Sequence, residues 1–132
     1  MNKATRKLNY YWLIAGIINS STALIHTFGG QIDLVNPLSK SNLNDQSKAE
    51  WLGVWHMFTI LLFITSYLIL KKTLIAAQAR KIEIISSIGY LYILFSIPFI
   101  VTSFNFSLLA PQWILLLPIG LLLLFGIKRE KL

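Results

Sequence analysis

The sequence predicts an all-α membrane protein, a four-transmembrane-helix antiparallel bundle with its N and C termini on the cytoplasmic side. Composition is the first reason, because 55% of the 132 residues are hydrophobic, only 13% are charged, and the mean hydropathy is +0.65. Soluble domains carry about 25% charged residues, so this chain has too few to cover a water-facing surface. Four long apolar segments and a one-sided distribution of basic residues are the other two reasons. We expect residues 1–132 to form a single transmembrane domain.

Each apolar segment is long enough to cross a bilayer as a helix, which takes roughly 20 residues. The four predicted spans are residues 8–28, 51–70, 84–104 and 108–127. Their apolar runs are continuous, as at residues 121–124, whereas the strands of a membrane barrel alternate apolar and polar residues. Helices are therefore predicted for all four spans.

The first two spans are separated by residues 29–50, which we predict to be an outer loop that opens with Gly29 and Gly30. Loops of this length are uncommon in compact domains unless they are functional or disordered. Apolar residues within it, such as Ile32 and Leu34, suggest that it lies against the membrane surface or caps the bundle.

Basic residues lie almost entirely on one side of the predicted membrane domain. Ten of the twelve lysines and arginines are on the side opposite the outer loop. These ten are Lys3, Arg6, Lys7, Lys71, Lys72, Arg80, Lys81, Lys128, Arg129 and Lys131. By the positive-inside rule this side is cytoplasmic, and the net charge of +7 is a topology signal. We expect the lipid bilayer, not a nucleic acid, to be the partner, in the inner membrane of a bacterium.

Polar residues inside the spans are the candidate functional residues, because an unpaired polar group in lipid costs free energy. In the first span Asn19, Thr22 and His26 are spaced by three and four, so they share one helical face. In the second span His56 and Thr59 share a face in the same way.

The two histidines are predicted to lie at similar depth. His26 is near the outer end of the first span and His56 near the outer start of the second, and antiparallel packing brings such positions level. Trp55 precedes His56, and Gln112 opens the fourth span at about the same depth. Together with Asn19, Thr22 and Thr59, these residues form the candidate ligand-binding site.

Three hypotheses remain open for the histidines. Each imidazole could hydrogen-bond a neighbouring side chain or carbonyl and simply hold the bundle together. Alternatively, His26 and His56 could ligate a haem iron or a metal ion inside the bundle; haem would require the two spans to be set well apart. The third hypothesis is a binding or proton-responsive site below the outer loop, since histidine titrates near physiological pH.

Enzyme motifs are missing from the sequence, which has no cysteine, no phosphate-binding glycine loop, no nucleophile elbow and no His-Glu-x-x-His. We therefore expect a non-enzymatic membrane protein that binds a small ligand at an outer pocket around the histidines. It could instead be a homo-oligomer or a subunit of a membrane complex. The alternative function is haem or metal binding through His26 and His56.

Four short runs in the outer half resemble one group of proteins. They are His-Thr-Phe-Gly-Gly at 26–30, Asn-Pro-Leu at 36–38, Trp-His at 55–56 and Pro-Gln-Trp at 111–113. Together they are similar to those of small, uncharacterised bacterial four-span integral membrane proteins. The resemblance implies the four-span architecture and groups the outer residues, and it implies no particular chemistry.

Overall fold

The computed structural model describes residues 8–75 and 82–130, which are almost entirely helical. The helices are α1 (Tyr10–Gly30), α2 (Asn36–Ser39), α3 (Asp45–Leu74), α4 (Ile82–Asn105) and α5 (Gln112–Glu130). Within these residues there is no strand, so the all-α class is confirmed. Of the basic residues used for the topology prediction, six lie outside the described residues: Lys3, Arg6, Lys7, Arg80, Lys81 and Lys131.

The stretch predicted as an outer loop is mostly helical. After Gly30 the chain continues through a π-helical turn, Gln31–Val35, directly into α2, and only residues 40–44 link α2 to α3. The sequence prediction treated Gly29 and Gly30 as the end of the helix. Gly30 instead keeps ordinary helical angles, φ −67° and ψ −25°, so the glycine does not end the helix here.

Two helices begin four or more residues away from the position that the apolar pattern predicted. α3 starts at Asp45 instead of residue 51, because the side chain of Asn44 accepts a hydrogen bond from the Ser47 amide (2.8 Å) and caps the helix. α5 starts at Gln112 instead of residue 108. Pro111 immediately precedes it, and a proline at a helix start costs no hydrogen bond.

Among the four long helices, packing contacts join α3 to α1, α1 to α5 and α5 to α4. The antiparallel pairing of α1 with α3 follows from two contacts: Gly16 lies against Leu70, and Gly30 lies against Trp55. α1 packs against α3 on one side and α5 on the other. We call the end of the bundle that carries Asn9 the terminal end, and the opposite end the distal end.

Close helix contacts are made at glycines, as is common where helices meet in membranes. A Cβ on Gly120 of α5 would lie 2.7 Å from the carbonyl oxygen of Gly89 in α4. At the terminal end α1 is held to α5 by side chains that bond its backbone. Asn9 donates to the Gly126 carbonyl (2.9 Å), and the Trp12 indole donates to the Leu123 carbonyl (3.1 Å).

The outside of the bundle is apolar. Large exposed hydrophobic side chains occur on every long helix, and examples are Ile17, Ile64, Leu94 and Phe125. Several polar side chains are instead buried: Asn9, Asn19, Thr22, Thr65, Ser66, Thr73 and Ser96. In water such an exterior would aggregate, whereas in a bilayer it is the surface that contacts lipid.

In the described part of the chain three helices, α3, α4 and α5, are long and apolar enough to cross a membrane. A multi-pass membrane protein is therefore supported. The remaining long helix, α1, has 21 residues but carries several polar side chains, among them Asn19, Ser20 and His26.

Candidate functional site

The candidate site lies at the distal end and is built around the side chain of His26. Its imidazole stacks on the indole of Trp55, with ring centroids 3.7 Å apart and an angle of 19° between the planes. The ring of Phe58 meets the imidazole edge-on, with a centroid distance of 5.4 Å. His26 comes from α1 and both aromatic residues from α3, so the stack also joins the two helices.

Gly30 makes room for this stack. A Cβ at residue 30 would overlap the six-membered ring of Trp55, whereas a Cβ at the neighbouring Gly29 would only touch Ile25, at 3.9 Å. Gly30 therefore lets the indole lie flat against α1, one turn beyond His26. This packing role explains a glycine that the sequence pattern suggested was a helix end.

A first cavity of about 440 Å³ lies between the distal parts of α1, α3 and α5. Its wall is largely apolar, as in most small-molecule sites. The polar side chains that line it are Thr22, His26, Asp33 and Gln112, beside the indole of Trp55. We call it the α1–α5 cavity.

A second cavity, of about 410 Å³, lies between α3 and α4. Its α4 wall is made by Phe95, Pro98 and Phe99. We call it the α3–α4 cavity. The two cavities share five lining residues: His26, Leu34, Trp55, Phe58 and Gln112. They are therefore adjacent, and they meet at the His26–Trp55 stack.

Two polar atoms at this shared wall are buried without a hydrogen-bond partner, namely Nε2 of His26 and Oε1 of Gln112. Leaving a buried polar atom unpaired costs about 1–3 kcal/mol, and natural proteins keep few of them. The indole Nε1 of Trp113 is a third such atom, but Trp113 lines a separate cavity near Phe104 between α4 and α5. The shared wall thus offers two hydrogen-bonding atoms to a bound molecule.

The electrostatic character of the site is close to neutral. Asp33, an exposed residue at the rim of the α1–α5 cavity, is the one charged side chain among the residues that line either cavity. No lysine or arginine is among them, so nothing in these walls would compensate a negative ligand.

The two histidines do not line the same cavity. His56 is exposed and lines neither of the two cavities, although it directly follows Trp55 in the chain. A pair of axial haem ligands would need both imidazoles to face one space. Across residues 8–75 and 82–130 there is also no group of three or more potential metal-ligating side chains.

The other predicted site residues have different surroundings. Thr22 lines the α1–α5 cavity, but its hydroxyl donates to the Ile18 carbonyl of its own helix (2.8 Å). Thr59 does the same with the Trp55 carbonyl (2.9 Å) and lines neither cavity. Threonines that bond their own helix in this way are ordinary in membrane helices.

Asn19 lies deeper in the bundle, in a polar network that is fully paired. Its amide nitrogen is within hydrogen-bonding distance of the hydroxyls of Thr65 and Ser66, both at 3.0 Å, and of the Leu62 carbonyl, at 3.3 Å. Its oxygen accepts a hydrogen bond from the Tyr92 hydroxyl (2.9 Å), which also bonds Thr65. The network joins α1, α3 and α4.

Sequence analysis alone did not single out Tyr92, although a signal was present. A tyrosine in the middle of an apolar span must find a partner for its hydroxyl, because lipid offers none. Phe58, Phe95 and Phe99 were also missed as cavity residues. Their positions carry no such signal, since lipid-facing and cavity-facing phenylalanines look alike in sequence.

Comparison with known proteins adds nothing to this geometry. No protein-family model, no curated protein and no solved structure matches the chain. The function is therefore argued from the site itself, whose main features are the His26–Trp55 stack, two adjoining cavities and two unpaired buried atoms.

Proposed function

We propose that this chain is a four-span membrane protein, with both termini in the cytoplasm, that binds a small uncharged ligand at the distal site. The proposal is based on two buried atoms that have no hydrogen-bond partner, His26 Nε2 and Gln112 Oε1. Both residues belong to the wall shared by two apolar cavities. A ligand with a hydrogen-bonding group there would remove the cost of burying both atoms.

The packing of α1 supports its role as the fourth span. It lies between α3 and α5 along its length, from Asn9 at Gly126 to His26 at the cavities, so it must share their depth in the bilayer. Its polar side chains are compatible with a span. Asn19 and Thr22 are buried in the bundle, where lipid does not reach them.

The topology is tested with single cysteines, since the chain has none of its own. In spheroplasts of a bacterial host we expect a membrane-impermeant maleimide to label a Leu43→Cys variant without lysis. Asn2→Cys and Lys128→Cys should be labelled only after lysis, because the positive-inside rule places both in the cytoplasm. Labelling of both Asn2→Cys and Leu43→Cys in intact spheroplasts would remove α1 from the list of spans.

Ligand binding is tested with 2-naphthol, a planar probe that has one hydroxyl group, and with naphthalene, which has none. Equilibrium dialysis against protein in nanodiscs, corrected with empty nanodiscs for partitioning, gives the affinities. We expect 2-naphthol to bind about tenfold more tightly than naphthalene, because a hydrogen bond that pairs an orphaned buried atom is worth about 1.4 kcal/mol.

Matched variants locate the binding. His26→Phe and Gln112→Met keep the size of the side chain but remove the unpaired atom, so each should reduce the preference for 2-naphthol. His56→Phe, on the exposed face, should leave it unchanged. Gly30→Ala should weaken both probes by displacing the Trp55 ring, whereas Gly29→Ala should not. Equal binding of the two probes by the wild-type protein would refute the proposed site.

A further inference from the structure

The α3–α4 cavity differs from its neighbour in what surrounds it. Apart from His26 and Gln112, every residue that lines it is apolar. Its rim carries Trp51 and Val54 of α3, which are 60% and 58% exposed, and Pro98 of α4, which is also exposed. Both helices are long and apolar enough to cross a membrane, so in the proposed topology the opening between these outward-facing apolar positions faces lipid.

The floor of this opening is formed by an aromatic contact. The rings of Phe58 and Phe95 lie with centroids 5.8 Å apart and join α3 to α4 on the side of the cavity nearer the middle of the bundle. On the distal side of that contact, α3 and α4 enclose the cavity and their side chains do not fill the space between them. A slender apolar group could therefore enter between α3 and α4 without separating the helices.

The polar end of the site limits the head group that such a molecule can carry. Gln112 Oε1 can only accept a hydrogen bond, whereas His26 Nε2 either donates or accepts according to the tautomer. A single hydroxyl group can donate to the first and accept from the second. An anionic head is disfavoured, because neither cavity is lined by a lysine or arginine and Asp33 lies at the rim.

We infer that the ligand is an uncharged single-chain amphiphile with a hydroxyl head, which enters from the bilayer between α3 and α4. Its hydroxyl lies between His26 and Gln112, and its chain occupies the α3–α4 cavity. This inference rests on the proposed function and adds to it the ligand class and the route of entry.

The test uses hexadecan-1-ol with a diazirine in mid-chain and a terminal alkyne, added to protein in phosphatidylcholine liposomes. After photolysis, mass spectrometry locates the label. We expect it on Val54, Phe95 and Phe99, about fivefold above exposed lipid-facing positions such as Ile17. Unlabelled hexadecan-1-ol should compete, whereas hexadecyl sulfate, whose head is anionic, should not. The competition is measured on the wild-type protein and needs no variant to fold.

Two variants complete the design. His26→Phe removes one hydrogen bond to the hydroxyl head and should reduce labelling of the α3–α4 cavity about fivefold. His56→Phe should not change the labelling. Even labelling of all lipid-facing helices, or equal competition by the sulfate, would overturn the inference. If that happens while 2-naphthol still binds as proposed, only the ligand class and the route are lost. If 2-naphthol also fails to bind, the proposed function fails with them.

Discussion

The polar network in the middle of the bundle and the distal site both contain buried polar atoms. These atoms are hydrogen-bonded in the network, whereas at the distal site two of them have no partner. Around Asn19 every polar group has a partner, with Thr65, Ser66 and Tyr92 supplying donors and acceptors from two other helices. At the distal site His26 and Gln112 each keep a buried atom unpaired beside empty space. Both regions include polar residues of α1, so the difference does not come from belonging to different helices.

The packing around these two sets of polar atoms also differs. The network residues are almost fully buried, with Asn19 at 0% and Thr65 at 3% exposure, and neither of these two side chains lines either cavity. A paired network specifies how helices align. An unpaired atom beside a cavity instead keeps a cost that only a bound molecule or water can remove. Polar residues that align helices therefore differ in packing from the two residues proposed to bind a ligand.

The largest expected effect comes from breaking the paired network. Asn19→Leu keeps the volume but removes the interhelical hydrogen bonds to Leu62, Thr65, Ser66 and Tyr92. Such bonds average about 0.6 kcal/mol each in membranes, so we expect the free energy of unfolding to fall by about 2 kcal/mol. Titration with SDS in mixed micelles, followed by circular dichroism, measures it.

The matched control for that prediction is Ser20→Ala. Ser20 is the next residue of α1, and its hydroxyl bonds only the Gly16 carbonyl of the same helix (2.9 Å). Its removal should change the free energy of unfolding by less than about 0.5 kcal/mol. If Asn19→Leu costs no more than Ser20→Ala, the network is not what aligns α1 with α3 and α4.

The depth of residues was predictable from sequence, but their direction around each helix was not. Counting along the spans predicted that His26, Trp55 and Gln112 belong to one level, and in the structure all three line the same cavity. His56 has the same depth, yet adjacent residues of a helix differ by about 100° in direction, so His56 points elsewhere when Trp55 points inward.

That rotation depends on packing that no local pattern contains. Trp55 lies against α1 because Gly30 has no side chain, and Gly30 is 25 positions away in sequence. The helical course of the supposed outer loop has a similar origin, since Gly29 and Gly30 are typical of helix ends as well as of close helix contacts. Spacing alone could not distinguish the two uses.

The smallest expected effect is a gain in the free energy of unfolding, and it concerns the unpaired atom of His26 at the distal site. His26→Phe removes the buried Nε2 atom but retains a ring of similar size to stack on Trp55. Because the wild-type protein loses free energy by burying that atom unpaired, we expect the ligand-free variant to gain up to about 1 kcal/mol in stability. The same SDS titration measures it, without added ligand.

The sign of this change in the free energy of unfolding distinguishes a structural role of His26 from a binding role. A residue that only held the bundle together would destabilise it when replaced, as Asn19 is expected to do. If His26 is instead retained for binding, its replacement should raise the stability of the protein and reduce the selectivity for 2-naphthol in the same variant. Such a trade-off between stability and function is common. A loss of about 1 kcal/mol or more in His26→Phe would assign His26 to the structural group and leave Gln112 as the one binding atom of the site.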